Sequence, residues 1–360
     1  MDRVAVIGAG NSGLATAAHL SLQGHPVNLW NRSPERVSDL LSSHTIDCSG
    51  VITGAARLHL VTCDMAEAID GVRMILVTTP ADAHSAVAAA MAPHVSADAF
   101  VVLNPGRTLG SLEFRNSLLA NGCTRVPAVA EAQTIVYTCR STGPSSVAVL
   151  TMKSNVLISC LKDERPIEVD EVLPDCLRPY FVPARSTVET SFGNVGMILH
   201  CAPVLLNTGW IENTTTRFKY YYDGITPSIA RFLERLDSER LSVMAGLGIE
   251  GETIVEWFER TYGVVGDCLH SCLQLNEAYR TIEAPTSLNH RYVLEDVPCG
   301  LVPLEAVGKR LGLPMILTTL VVDLASELMG VELRKTGRGL DRLGLDAMTS
   351  AELAKTLRSL

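Results

Sequence analysis

The chain has 360 residues, 47% hydrophobic and 19% charged, with a net charge of −9. That length accommodates two domains, each with its own core, and the composition leaves little room for disordered tails. The acidic balance, with no clustered basic face, argues against nucleic acid as a principal partner.

Asp2 and Arg3 lead straight into VAVIGAG, with no apolar leader before a small-residue cleavage site, so the expected location is cytoplasmic. RVAVIGAGNSGLATAAHLSLQGHPVNLWNRS then reads as strand, glycine turn, helix and second strand. Gly8, Gly10 and Gly13 follow the strand Val4 to Ile7 in GxGxxG spacing and open an alanine-rich helix, with Asn11 and Ser12 inside the motif. In that context Gly8 permits a sharp turn, Gly10 admits a pyrophosphate to the backbone, and Gly13 allows close helix–strand packing. The helix start adds free N–H groups and a positive dipole end, which makes these five positions a candidate dinucleotide site.

The second strand, Pro26 to Trp30, ends in Asn31, Arg32 and Ser33. An acid at this tip usually meets a ribose 2′-hydroxyl, whereas an arginine accommodates a 2′-phosphate. With no acid there, NADP(H) is favoured; if Arg32 only stacks over the adenine, NAD(H) fits as well.

MILVTTP (Met74 to Pro80) and AFVVLNPG (Ala99 to Gly106) are short apolar runs that read as parallel strands buried on both faces. Their carboxyl ends place Thr79, Pro80 and Asn104 as candidate cofactor residues. ADAHSAVAAAMAPHV between them has helical composition, with His84 and His94 expected at the surface. VPAVAEAQTIVYTCRSTGPSSVAVLTMKSNVLISC reads as further strands and carries Gln133 and Thr134, candidate substrate contacts.

From about Arg185 helical periodicity takes over, in GITPSIARFLERLDSERLSVMAGLGI, GETIVEWFERTYG and GLVPLEAVGKRLG. Pro174, Pro179 and Pro183 crowd the change, so the expected domains are residues 1–182, a Rossmann-type doubly wound α/β domain, and residues 183–360, an all-helical domain. Substrate is expected in the cleft between them. SFGNVGMILHCAPVLLNTGWIE (Ser191 to Glu212) puts His200 in an apolar helix expected to start near Gly193, and TSLNHRYVLEDVPCGLVPLE (Thr286 to Glu305) is a loop-like segment carrying Arg291, Glu295 and Asp296. A carboxylate on one ring nitrogen would fix the tautomer of an acid–base histidine. A satisfied core histidine, with Asp296 a mere helix cap, reads equally well at this point. Cys268 and Cys272, with His270 between them, lack further metal ligands nearby, and the cysteines read as core thiols, so no metal is expected. The late run PMILTTLVVDLASELMG, interrupted by Asp323 and Glu327, is too short to span a membrane and reads as a buried helix.

SFGNVGMILHCAPVLLNTGWIE, YYYDGITPSIARFLERLDSERL and APTSLNHRYVLEDVPCGLVPLE closely resemble the helical domain of the opine dehydrogenase family, and GAGNSGLA, LNPGRTLGSLEF and EAQTIVYTCR fit its N-terminal half. The resemblance spans essentially the whole chain. It implies an NAD(P)H-dependent oxidoreductase that joins the amino group of an amino acid to a 2-oxo acid, pyruvate favoured, and a homodimer as the assembly. It carries the family's acid–base histidine onto His200, the paired aspartate onto Asp296 and the carboxylate-holding arginine onto Arg291. Asp296 is then expected to raise the pKa of His200. One departure is Cys201, where the family often has proline.

The glycine turn is also compatible with two other classes. A 2-hydroxy acid or glycerol-phosphate dehydrogenase would commonly use a lysine, and Lys219, Lys309 and Lys335 sit in no such motif. A non-catalytic NADPH sensor would have no need of the histidine, aspartate and arginine.

Overall fold

A computed structural model of the chain describes residues 2–161, 172–213 and 215–360. Two compact units emerge: Met1–Gly106 with Gly110–Thr187, and Arg107–Leu109 with Val188–Leu360. The change of unit thus falls five residues later than the 182/183 boundary read from the prolines, and a three-residue excursion after Gly106 goes with the second unit.

In the first unit, β1 (Val4–Ile7), β2 (Val27–Trp30), β6 (Met74–Val77) and β7 (Phe100–Leu103) are buried at every residue. With β5 (Leu60–Thr62) and β8 (Ala128–Ala132) they form the order β5-β2-β1-β6-β7-β8, parallel throughout. Continuous apolar runs are what a parallel strand covered on both faces requires. The order reverses between β1 and β6, so the chain ends at Gly8 and Thr78 open the crevice where such sheets hold ligands. Beyond β8 lie β11 (Val156–Cys160), antiparallel to it, and β12 (Phe181–Pro183).

A second sheet, β4 (Gly54–Arg57), β3 (Thr45–Gly50), β10 (Ser146–Met152) and β9 (Tyr137–Gly143), was only half legible, because β3 and β4 are partly exposed, lack an apolar run and face each other across glycines at φ +97° and +148°. Helix α1 (Asn11–Leu22) packs against strands of both sheets and is buried from Ser12 to Leu20. Its alanines are the small side chains that let two sheets approach one helix. His84 is a correction: it lies fully buried on helix His84–Met91, edge-on to Phe114 with ring centroids 6.4 Å apart, while His94 is exposed.

The second unit is helical. Helix Pro227–Gly246 starts at Thr226, whose hydroxyl accepts from Ile229 N, and it buries Ala230, Leu233, Leu236, Asp237, Arg240, Val243 and Met244 along one face. Arg240 is fully buried, donating to Asp237 at 2.6 Å and to the carbonyls of Phe192 and Glu252. The other Asp237 oxygen accepts from Ile254 N at the start of helix Ile254–Tyr262. Helix Ile316–Met329 is also a correction. It buries Thr318, Val321, Val322 and Ala325 but exposes Ile316, Leu320 and Leu328 on its other face. No described helix is long and apolar enough to cross a membrane. All ten cysteines are free thiols; Cys272 is buried, but Cys268, read as a core thiol, is exposed beside the first turn of helix Leu269–Leu275.

Candidate active site

In the first unit the glycine turn has three different reasons to lack side chains. Gly8 sits at φ +114°, where a Cβ would lie 2.9 Å from Thr79 Cγ2, and a Cβ on Gly13 would lie 1.8 Å from the Gly8 carbonyl oxygen. Those two are required by the fold itself. A Cβ on Gly10 would meet nothing within 4 Å, so packing does not explain it and open space remains for a ligand. Thr79 Oγ1 and Asn104 Oδ1 are buried without a hydrogen-bond partner among the described residues, which suits a polar ligand at the crevice. Pro80 is exposed beside them. These residues fit a dinucleotide.

The side chains of Asn11 and Ser12 are already engaged, Asn11 Oδ1 accepting from Ser141 N at 3.0 Å and Ser12 Oγ directed to the Thr78 carbonyl at 3.4 Å. What this turn offers a phosphate is therefore backbone N–H. Asn31 is likewise occupied, accepting from Ala9 N at 3.1 Å and donating to the Ser33 carbonyl at 2.9 Å, while Arg32 and Ser33 are exposed. Gln133 is buried and Thr134 half-buried just after β8, both in the first unit.

The second unit holds a polar cluster. His200 does not lie inside one helix. It stands at the joint between helices Gly196–Leu199 and Cys201–Leu206, with φ −100° and ψ −58°. Pro203 has no N–H to give the Leu199 carbonyl, and the Tyr220 hydroxyl donates there and to the His200 carbonyl instead. Tyr292 stacks on the imidazole at 4.1 Å and 12°. His200 Nδ1 lies 2.8 Å from Asp296 Oδ2, with the histidine side chain 18% exposed and the aspartate fully buried. A carboxylate accepts, so Nδ1 carries the proton and Nε2 is the ring atom left for proton exchange. Asp296 makes no capping bond to the turn that follows it, so the helix-cap alternative falls.

Arg291 opens a short helix, Arg291–Leu294, where a loop was expected. Its Nη2 lies 2.9 Å from Glu295 Oε2, its side chain is 39% exposed, and its Nε is buried without a hydrogen-bond partner among the described residues. Sequence reasoning missed Arg107. Its Nη1 is 2.7 Å from Asp296 Oδ1, its Nε is 3.0 Å from Glu295 Oε1, and Nη1 also donates to Asn194 Oδ1 at 3.1 Å. The one available signal was a charged residue in a glycine-rich turn just after a predicted buried strand.

Burial lowers the pKa of His200 and outweighs the opposing pull of Asp296; the Arg107 and Arg291 cations act in the same direction as burial. Asp296 does pull it upward, as expected, but burial leaves the net value lowered. Against its own burial, Arg107 is held above the ordinary guanidinium value by Asp296 first and Glu295 next. Burial likewise raises the Cys201 thiol, which donates to the Met197 carbonyl.

The chain is 36% identical to an opine dehydrogenase of Arthrobacter sp. (strain 1C) over 348 residues, 96% of each chain. It belongs to the opine dehydrogenase family. Residues 183–329 match the family model described as the alpha-helical domain of NAD/NADP octopine/nopaline dehydrogenase. Residues 3–106 match the N-terminus of NAD-dependent glycerol-3-phosphate dehydrogenase, so that likeness is confined to the dinucleotide half. The fold is that of octopine dehydrogenase in its structure with NADH and L-arginine, at a TM-score of 0.79 and 20% identity over 100% of this chain and 98% of that one. Yersinopine dehydrogenase with NADP+ bound matches at a TM-score of 0.74 and 15% identity, covering 99% and 98%. As an opine dehydrogenase the chain is an NAD(P)-dependent oxidoreductase acting on CH–NH groups.

Proposed function

We propose that this opine dehydrogenase joins the amino group of an L-amino acid to a 2-oxo acid, pyruvate favoured, and runs the reverse oxidation, with His200 as acid–base and Asp296 as its partner. The observation that carries the assignment of roles is the 2.8 Å contact of His200 Nδ1 with buried Asp296, in one cluster with Arg291. Half-exposed and with Nε unpartnered, Arg291 suits the carboxylate of a substrate. The lowered pKa makes the neutral imidazole the resting form. Nε2 then accepts one proton of the incoming substrate ammonium and Asp296 stabilises the imidazolium. As the free amine forms the C–N bond to the 2-oxo carbon a second N–H proton passes to the carbonyl oxygen, and the His200 proton returns to that hydroxyl, which leaves as water when the C–O bond breaks to give the protonated imine. A nicotinamide cofactor held at the glycine turn would supply the hydride. For the oxidation the proton movements run backwards.

For the cofactor we favour NADP(H), on the absence of an acid at the β2 tip and the exposed Arg32 and Ser33. Arg32→Ala is expected to raise the KM for NADPH and leave that for NADH in place; equal effects on both would refute the preference. A homodimer using the exposed face of helix Ile316–Met329 is checked by sedimentation. Ten free thiols suit a reducing compartment, in keeping with a cytoplasmic enzyme. The roles are tested by His200→Ala, expected to abolish NADPH oxidation with an amino acid and pyruvate while cofactor Kd stays within about twofold. Full activity in that variant would overturn them.

A further inference from the structure

We propose that Arg107 is a positioning residue for proton transfer at His200, taking one oxygen of Asp296 while the imidazole takes the other and joining that pair through Glu295 to Arg291. The inference rests on the acid–base reading of His200. The chain of contacts is continuous: His200 to Asp296 at 2.8 Å, Asp296 to Arg107 at 2.7 Å, Arg107 to Glu295 at 3.0 Å, Glu295 to Arg291 at 2.9 Å. Glu295 and Asp296 are adjacent, and their side chains are 2% and 0% exposed. Two buried carboxylates side by side repel unless a cation divides them, and the 5%-exposed guanidinium of Arg107 does so.

The backbone is built to hold it there. Arg107 and Leu109 both lie at positive φ, +61° and +57°, a conformation that side chains other than glycine seldom adopt and keep only when the surroundings over-determine it. Here they do. Thr108 N donates to the Cys299 carbonyl and Thr108 Oγ1 to the Gly300 carbonyl, Leu109 N donates to Ser191 Oγ, and buried Arg338 donates to the Thr108 carbonyl at 2.7 Å. Asn194 Oδ1 fixes the far end of the guanidinium and also accepts from Gly196 N, at the start of the helix that ends at His200.

Two consequences follow. Asp296 is held at both oxygens, by the ring at 2.8 Å and by the Arg107 cation at 2.7 Å, which opposes rotation away from the ring. Its charge is also shared, so less of it reaches the imidazole, and Arg107 adds to burial in lowering the pH at which His200 becomes a base. The groups around the ring are Asp296, Arg107 and Arg291, with Tyr292 stacked on it, Cys201 next in the chain and Tyr220 bonded to its carbonyl. Of these, Arg107 is a buried cation that also touches Asp296 directly. A substrate carboxylate at Arg291 loads the opposite end of the same chain of ion pairs.

The test is the pH profile of kcat/KM for NADPH oxidation with an amino acid and pyruvate. In Arg107→Gln the limb where activity falls with acid should move to higher pH by about one unit or more, and kcat should drop at least about tenfold, with cofactor Kd within about twofold. Arg107→Lys keeps the charge and should restore the limb but not kcat, since one ammonium cannot bridge both carboxylates as a fork does. If Arg107→Gln fails to fold, Arg107→Gln with Glu295→Gln removes the buried imbalance and should still move the limb upward. An unmoved limb in a folded glutamine variant, or wild-type kcat in Arg107→Lys, overturns the inference. His200→Ala tells the two ideas apart: if it stays active the acid–base reading itself fails, and if it is dead while the limb stays put only the role of Arg107 falls.

Discussion

Asp296→Asn removes a charge and almost no volume, which makes it the cleanest probe of the His200 pair. In the native protein the carboxylate opposes the burial that lowers the His200 pKa, from 2.8 Å away. Without it, burial and the Arg107 and Arg291 cations act unopposed, so the ring becomes harder to protonate. Opposite charges about 4 Å apart at an effective dielectric near 20 attract by about 4 kcal/mol, and solvent and relaxation reduce what is realised. A loss of about 1.4 to 3 kcal/mol from the imidazolium corresponds to a kcat lower by about ten- to a hundredfold. Arg107 keeps Glu295 as a partner, so the fold should survive. The assay is the initial rate of NADPH oxidation with amino acid and pyruvate from roughly pH 5 to pH 9. The acid limb of kcat/KM should move to lower pH, opposite to the shift expected for Arg107→Gln. The stability sign can be checked on the same variant. Because the folded pKa of His200 lies below its ordinary 6.5, the unfolded chain takes up the proton first and native stability declines as pH falls below that value. Asp296→Asn should deepen that decline. An unmoved limb with an unchanged kcat would refute the pairing as a working dyad.

Three other outcomes are expected. Arg240→Ala leaves Asp237 buried without its cation and should cost about 3–5 kcal/mol in chemical denaturation; a loss under about 1 kcal/mol would show that the pair contributes little. Gly10→Ala should fold with an unaltered Tm yet weaken cofactor binding about tenfold or more, whereas Gly13→Ala should lower Tm as well, because only the second Cβ collides with the chain. If both variants behaved alike, Gly10 would not be a ligand-facing position. Glu305 is held at about 2, burial opposing and Arg334, Lys309 and Thr319 bonding to its charged form. Its stabilisation, about 3 kcal/mol, is present above pH 4.5 and should be lost as pH falls towards 2; denaturation of Glu305→Gln should show a flatter pH dependence there.

Local rules made some of this molecule legible and hid the rest. Val4–Ile7, Met74–Val77 and Phe100–Leu103 announced themselves because strands buried on both faces must be apolar without interruption. β3 and β4 did not, since partly exposed strands without an apolar run, joined through glycines, look like a loop until another strand pairs with them. His84 was misjudged because its burial depends on Phe114, thirty residues away.

The site divides along the same line. By itself the sequence determined the glycine turn, whose constraints lie within a few residues of one another, and through resemblance it marked His200, Arg291 and Asp296. Only the tertiary structure decided that His200 stands at a break between helices, that its pKa is lowered, and that Asp296 serves two partners. Those properties belong to groups far apart in the chain, Arg107 and Glu295 lying 188 positions from each other, and no local pattern records a charge brought from that distance into a buried cluster.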